Sequence, residues 1–378
     1  MRITFASLFE AYPPLSGSPA VTYGCASHLD AEVSLVQFGP EPGTRRLPNG
    51  ITVTSVLEAT QSRWRKLVRM PASLLRLAAE VAGSRPDYIV IAGGSWSVYL
   101  AALVWMLRRR LPKTPIAYHA HNVEYLLRRE RNGRAVAAIT RRAEGYLLTR
   151  ARHSFAVSPV DQGHFLRLYG TLPDLLPNAV DCDDFAAVTP EAASQTRDRY
   201  GLAGDVILFM GLYAYPPNKE AVDFLVFSVM PEVLSKHPQA KLLVTGGVVP
   251  YQRPWLINPG FLPHADLRAA IKSCRAGVAP VFGGSGTRLK ILEYMAGGLP
   301  VVTTRKGAEG LPLAEERHVL FAERPSEFAA AILRLLDSAE LGKHLASGAA
   351  ALVREQFDWS KALTEFRLRL GIPERVQA

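Results

Sequence analysis

Cysteine is scarce. Cys25, Cys182 and Cys274 are far apart and none belongs to a CxxC pair. That spacing argues against a disulfide framework and a zinc site, and it fits a reducing compartment. Long apolar segments are missing as well. The longest unbroken run, VYLAALVWML from Val98 to Leu107, is ten residues, about half of the ~20 that a membrane-spanning helix needs. It reads instead as a buried helix following the loop AGGSWS. The N-terminal MRITFASLFEAYPP has too short an apolar stretch for a signal peptide, and Glu10 interrupts it, so a cytoplasmic protein is expected. GxxxxGK(S/T) is absent, and no GxGxxG follows the first apolar run. No cluster of His, Cys, Asp and Glu has metal-ligand spacing, so no metal cofactor is expected.

What is present is a globular composition, 48% hydrophobic, in 378 residues. That length exceeds one ordinary core and predicts two domains. Charge is divided unequally between them. Residues 1–180 carry 22 Lys and Arg against 12 Asp and Glu, whereas residues 181–378 carry 22 of each. A basic half and a neutral half point to different partners.

MRITFAS, PDYIVIAGG, TPIAYHAHN and HSFAVS are short apolar runs separated by helical patterns. DVILFMG, AKLLVTGG, AGVAPVFGG and LPVVTT repeat the scheme in the second half. Alternation of this kind predicts βαβ units and parallel sheets. NKEAVDFLVFSVMPEVLSKHP between them reads as one helix, with Ala221, Phe224, Leu225 and Val229 in helical period. The expected architecture is α/β, with two doubly wound Rossmann-like domains facing each other across a cleft. Residues 1–178 form the first domain and 179–358 the second. Residues 359–378, with SKALTEFRLRL, form a helix crossing back to the first.

The stretch FGGSGTRLKILEYMAGGLPVVTT, Phe282 to Thr304, carries the densest chemistry. Gly283, Gly284 and Gly286 permit backbone conformations that a Cβ forbids. From Thr287 the pattern turns helical, with Lys290 and Glu293 three residues apart on one face. A glycine turn opening a helix aims free N–H groups and the positive dipole end at one spot, which suits phosphate. Arg288 or Lys290 adds positive charge there, and Glu293 is placed to accept hydrogen bonds from a ribose diol. The residues alone fit a nucleoside diphosphate, and equally a strand–turn–helix with a surface ion pair.

GSGTRLKILEYMAGGLPVVTT followed by GAEGL resembles the donor-site signature of retaining GT-B glycosyltransferases of the family-four type (glycosyl transferases group 1). HNVEY (121–125), LPNAVDCDDF (176–185) and FMGLYAYPPNKEAVDFL (209–225) are similar to further family motifs in the same order. The resemblance implies transfer of a sugar from a nucleoside-diphosphate sugar, with retention and without metal. The acceptor is expected to be saccharide or lipid-linked, in cell-surface polysaccharide or glycolipid assembly. By position it implies that Glu293 holds the ribose, and that Arg288 and Lys290 hold the pyrophosphate and act in catalysis. Gly284, Ser285, Gly286 and Thr287 are implied to lie against the donor, with Gly211 in the facing loop. The chain departs from the family pattern at Ser285, where many relatives carry a glutamate. It departs again at Leu212, where a basic residue is usual, leaving Lys219 as a substitute, and at Ala179.

His121 ends an apolar strand where a cleft residue sits, and it is read as a catalytic and acceptor contact together with Asn122. A structural histidine bonded to a carbonyl is the alternative, and His119 is a weaker rival. Asn122 and Glu124 also fit a plain helix cap. Glu309 in GAEGL either reaches the donor sugar or stabilises a turn. Asp181–Cys182–Asp183 forms a DxD that is discounted as a metal site because it lies in the junction segment. RWRKLVRM (63–70), MLRRRLPK and LLRRERNGR place cations beside apolar residues. Peripheral contact with an anionic membrane surface at the inner face of the cell membrane is expected from them. No nucleic-acid module accompanies the charge. A nucleotide-sugar epimerase of the same fold, or a silent nucleotide-binding scaffold, are the rival readings.

Overall fold

A computed structural model describes residues 1–56, 63–93, 96–284 and 286–373. The chain divides into two units, Met1–Asn178 with Ala362–Ala378, and Ala179–Lys361.

Among the described residues the first unit holds an eight-stranded sheet. Its strands are β1 (Arg2–Ser7), β2 (Glu32–Gln37), β3 (Gly43–Arg46), β4 (Thr52–Ser55), β5 (Tyr88–Gly93), β6 (Ile116–Ala120), β7 (His153–Ala156) and β8 (Asp174–Leu175). The spatial order is β3-β4-β2-β1-β5-β6-β7-β8, parallel except for the β3–β4 hairpin. β5 and β6 are buried at every residue, as strands covered on both faces must be. VYLAALVWML lies in the helix Ser97–Arg110, where Leu100, Leu103, Val104 and Leu107 are buried.

The second unit holds a six-stranded parallel sheet in the order β11-β10-β9-β12-β13-β14. These strands are β9 (Val206–Met210), β10 (Lys241–Thr245), β11 (Leu256–Gly260), β12 (Ala276–Ala279), β13 (Val301–Thr303) and β14 (Val319–Phe321). Along β9 the side chains alternate between two cores. Ile207 and Phe209 join one, and Val206, Leu208 and Met210 join the other. Order reverses between β9 and β12, and loops at the carboxyl edge there are where doubly wound sheets bind ligands.

Two local expectations change. The run from Asn218 to Pro238 is not one regular helix. Pro216–Phe224 is α-helical, Leu225–Val229 is a π-turn and Met230–Lys236 is α-helical again. Pro231 lacks the N–H that the next turn requires, so the hydrogen-bond ladder slips ahead of it. The return to the first unit starts at Ala362, three residues after the 359 expected from sequence. Trp359 stays behind because its N–H bonds the Val180 carbonyl at 3.2 Å. Beyond it Phe366 packs on Phe155, with ring centroids 4.8 Å apart, and Arg369 bonds Asp174 at 2.7 Å.

Candidate active site

The carboxyl edge of the second sheet is knit by its loops. The Gly211 N–H bonds the Thr245 carbonyl at 2.9 Å, Tyr213 N–H the Gly246 carbonyl at 3.2 Å, and Gly246 N–H the Gly260 carbonyl at 2.9 Å. Gly246 adopts φ +106°, and a Cβ there would lie 2.6 Å from the Gly211 backbone. Only glycine admits so close a crossing of two loops. After β12, Gly284 and Gly286 also take left-handed φ, +94° and +79°. This turn delivers the chain to the helix Leu289–Ala296, which buries Ile291, Leu292, Tyr294 and Met295. Tyr294 reaches further and accepts the Met210 N–H at 2.9 Å, fixing the helix to the end of β9.

Lys290 and Glu293 emerge from the same helix, half-buried. The Lys290 Nζ donates to Asn218 Oδ1 at 3.0 Å and sits 4.2 Å over the Phe209 ring. Desolvation, aided by the Arg288 charge and opposed by Glu293, pushes the Lys290 ammonium down to about 7. Desolvation also raises the Glu293 carboxyl to about 7, against the pull of Arg268 and Lys290. Each charge is therefore held in surroundings that disfavour it, the setting in which an anion at Lys290 or hydrogen-bond donors at Glu293 are most welcome.

Arg288 takes the N-cap position and turns back on the glycine loop. Its NH1 donates to the Gly286 carbonyl at 2.9 Å and its NH2 to the Gly283 carbonyl at 3.1 Å. Thr287 is buried beside it. Ser285 lies outside the described residues. Glu309 forms an ion pair with Lys306, so the pair rather than a lone carboxylate faces any ligand there. Lys219, read as a substitute for the missing basic residue at Leu212, pairs with Asp223 at 2.5 Å. Asn218 does the bridging that the sequence did not reveal. Its Nδ2 donates to the Leu212 carbonyl at 3.0 Å while its Oδ1 receives Lys290. An Asn opening a helix after two prolines was the available signal.

The DxD has an ordinary structural duty. Asp181 Oδ1 accepts the N–H groups of Asp183 and Asp184 at 3.0 and 3.1 Å, and Asp183 pairs with Arg354. Among the described residues no group of three or more His, Cys, Asp and Glu gathers in metal-binding geometry.

In the first unit His121 follows β6, its N–H bonded to the Gly93 carbonyl at 2.9 Å. Its ring is 6% exposed and neither ring nitrogen has a hydrogen-bond partner. Burial lowers it to about 4, so it is neutral. The reading of His121 as a histidine bonded to a carbonyl is thus not what the structure has. His119 packs edge-on against it at 4.6 Å and, buried more deeply, is also held neutral. Asn122 Oδ1 is likewise buried without a partner.

Neither Asn122 nor Glu124 caps the helix Glu124–Arg131. Its first N–H groups go to a buried carboxylate from another helix. Glu144 Oε1 accepts Glu124 N–H at 2.8 Å, and Oε2 accepts Tyr125 N–H at 3.3 Å. Glu124 itself bonds Arg128 at 2.6 Å.

Comparison with known proteins adds family and fold. The family model described as Glycosyl transferases group 1 matches residues 204–338, and that described as Glycosyl transferase 4-like domain matches 17–179. The chain is similar to a phosphatidyl-myo-inositol mannosyltransferase of Mycobacterium leprae, 28% identical over 200 residues, covering 49% of this chain and 50% of that protein. The chain spans about half the length of the curated relatives it matches. Among solved structures it resembles a sucrose-phosphate synthase from Thermosynechococcus elongatus (TM-score 0.79, 16% identity, 97% of this chain and 98% of that one). It also resembles Anabaena HepE in complex with UDP-glucose (TM-score 0.75, 17% identity, 98% and 99%). At such identities the structural likeness is one of fold.

Proposed function

The chain belongs to the glycosyl transferases group 1, with their GT-B fold, and we propose that it moves a sugar from a nucleoside-diphosphate sugar to a saccharide or lipid-linked acceptor. The observation that carries this is the Lys290–Glu293 pair on a helix opened by Gly284 and Gly286 at the carboxyl edge of the second sheet. The glycine turn and the helix N–H groups receive the diphosphate, Lys290 and Arg288 neutralise it, and the Glu293 carboxylate accepts the ribose hydroxyls. As the bond from the anomeric carbon to the diphosphate breaks, negative charge grows on the departing oxygen. Fixed cations and N–H dipoles stabilise that charge without reorganising. The acceptor oxygen bonds the anomeric carbon on the face the diphosphate leaves, and its proton passes to the diphosphate. Transfer thus proceeds with retention, requires no protein nucleophile, and needs no metal. Cell-surface polysaccharide or glycolipid assembly is the setting.

A thermal-shift screen of UDP, GDP, ADP and dTDP tests the donor site, since a ligand binding only the folded state raises Tm by mass action. UDP comes first because HepE was crystallised with it. One diphosphate should stabilise the wild type and not Glu293→Ala; no response to any of the four rejects the reading. Affinity should peak near pH 7. Below that Glu293 protonates and loses acceptors, and above it Lys290 sheds the charge that the diphosphate needs. A flat profile from pH 6 to 8 would contradict this assignment.

The membrane contact is part of the same proposal. Trp105, Val98 and the cations Arg108 to Arg110 are exposed on one helix, with Arg109 stacked 3.9 Å over Trp105. Side chains 63–68 of the basic helix Arg63–Gly83 lie outside the described residues. No helix among the described residues is long and apolar enough to cross a membrane. Vesicles with anionic lipid should float the protein, neutral vesicles should not, and 0.5 M salt, at which screening shortens to about 4 Å, should abolish the effect. Equal flotation on both lipids rules the contact out.

A further inference from the structure

The Lys290 ammonium is held by a neighbour that carries no charge. Asn218 arrives on a helix whose first turn is fixed by proline. Pro216 and Pro217 open Pro216–Phe224, where their missing N–H groups are not needed and their φ is already helical. The Tyr215 carbonyl then receives the N–H groups of both Asn218 and Lys219, at 2.9 and 3.0 Å. That turn lays the Asn218 side chain over the loop after β9. A Cβ on Gly211 would lie 2.8 Å from Asn218 Cγ, Oδ1 and Nδ2, so the amide rests directly on the glycine.

The two ends of the amide have different duties. A carbonyl only accepts and an ammonium only donates, which fixes the orientation. Nδ2 goes to the Leu212 carbonyl at 3.0 Å, and Oδ1 is left facing Lys290 Nζ at 3.0 Å. An ammonium has three N–H donors, and Asn218 takes one of them. Phe209 presents its ring face 4.2 Å from Nζ, a contact that favours a cation without neutralising it. The charges around this point are otherwise placed or engaged. Arg288 and Glu293 are on the chain segment of Lys290 itself. Asp223, on the helix of Asn218, pairs with Lys219 and accepts the Tyr251 hydroxyl at 2.6 Å. A carboxylate in place of the amide would grip the ammonium as well, yet it would cancel the charge that an anion needs.

We propose that Asn218 is a positioning residue for Lys290, aiming its ammonium at the donor diphosphate while leaving the positive charge uncompensated. The proposal rests on the reading of Lys290 as a diphosphate contact and adds the residue that acts through it.

The test is calorimetric titration of the full chain with UDP, GDP, ADP and dTDP across pH 6.5 to 8.5. Wild type should bind one of them, with affinity falling as pH rises and Lys290 loses its proton. For that nucleotide Asn218→Ala should bind about tenfold more weakly, the scale of a lost hydrogen bond to a charged group. Asn218→Asp separates aim from charge. Its carboxylate opposes the diphosphate, so affinity at pH 6.5 should fall. The same carboxylate favours the ammonium, so the alkaline loss of affinity should move up by about one pH unit or more. A merely structural Asn218 would lower affinity by the same factor at every pH. Glu220→Gln, which alters an exposed charge of the same helix, should leave affinity and pH profile unchanged. Undiminished affinity in Asn218→Ala, or an alkaline limb in Asn218→Asp that coincides with that of wild type, overturns the proposal. Failure of the wild type to bind any of the four rejects the transferase reading itself, and this proposal with it.

Discussion

Lys290→Met is expected to abolish the diphosphate thermal shift and lower turnover by about 10²–10³, the usual loss when a fixed group stabilising the leaving charge is removed. The same change should make the empty protein more stable. In the folded chain the ammonium is desolvated and falls from its ordinary 10.5 to about 7, so folding works against its charge. Methionine keeps the apolar stem over Phe209 and sheds that burden. Asn218 loses a partner, but it is only half-buried and water can replace the bond. A net gain on the order of 1 kcal/mol is expected, or about 2–4 °C in Tm. The sign with pH is fixed by linkage. Between pH 10.5 and 7 the unfolded chain takes up a proton that the folded chain refuses, so stability from this site is present at high pH and lost as pH falls through 7. The advantage of the variant should therefore be full below pH 7 and vanish near 10.5. Retention of the nucleotide response in Lys290→Met would remove this residue from the donor site.

Glu144→Ala should be the most destabilising single change in the first unit, by about 3–5 kcal/mol in mildly acidic buffer. Glu144 is fully buried, and it accepts Glu124 N–H, Tyr125 N–H and the Tyr169 hydroxyl, the last at 2.6 Å. Alanine strands all three donors and opens a cavity. Glu144→Gln keeps the shape and should lose less than half as much. Burial is the main cause that raises the carboxyl to about 7 from its ordinary 4.5, outweighing the hydrogen bonds that favour its charged form. A raised carboxyl contributes stability that is complete below pH 4.5 and is lost as pH rises through 7. The margin of wild type over Glu144→Gln should then shrink by roughly 3 kcal/mol across that interval, since each tenfold change in proton affinity is worth about 1.4 kcal/mol. Chemical denaturation of both proteins at pH 5 and 8 measures it. A margin that does not change with pH would mean that Glu144 is ionised throughout.

The fold was legible at strands inside each sheet, which are covered by neighbours and read as apolar runs. PDYIVIAGG, DVILFMG and LPVVTT became β5, β9 and β13. It was illegible at the edges. β3 is GTRR with every residue exposed, β11 contains Pro259, and β14 has three residues. An edge strand needs little burial, so hydrophobic pattern does not mark it. The candidate donor site was legible because its glycines, cation and carboxylate fall within ten residues of one strand–turn–helix. The partners of those groups were not, since Asn218 and Phe209 come from a different βα unit.

The sequence by itself determined the local geometry of the candidate site: a glycine turn opening a helix, with Lys290 and Glu293 one turn apart, has that form whatever surrounds it. Only the tertiary structure decided what each group experiences. Neutral His121, the Glu144 clamp on the helix Glu124–Arg131 and the depressed Lys290 all arise from burial among residues distant in the chain. Hydrogen-bond geometry within a turn is set by neighbours in sequence, whereas desolvation depends on everything that packs around a charge.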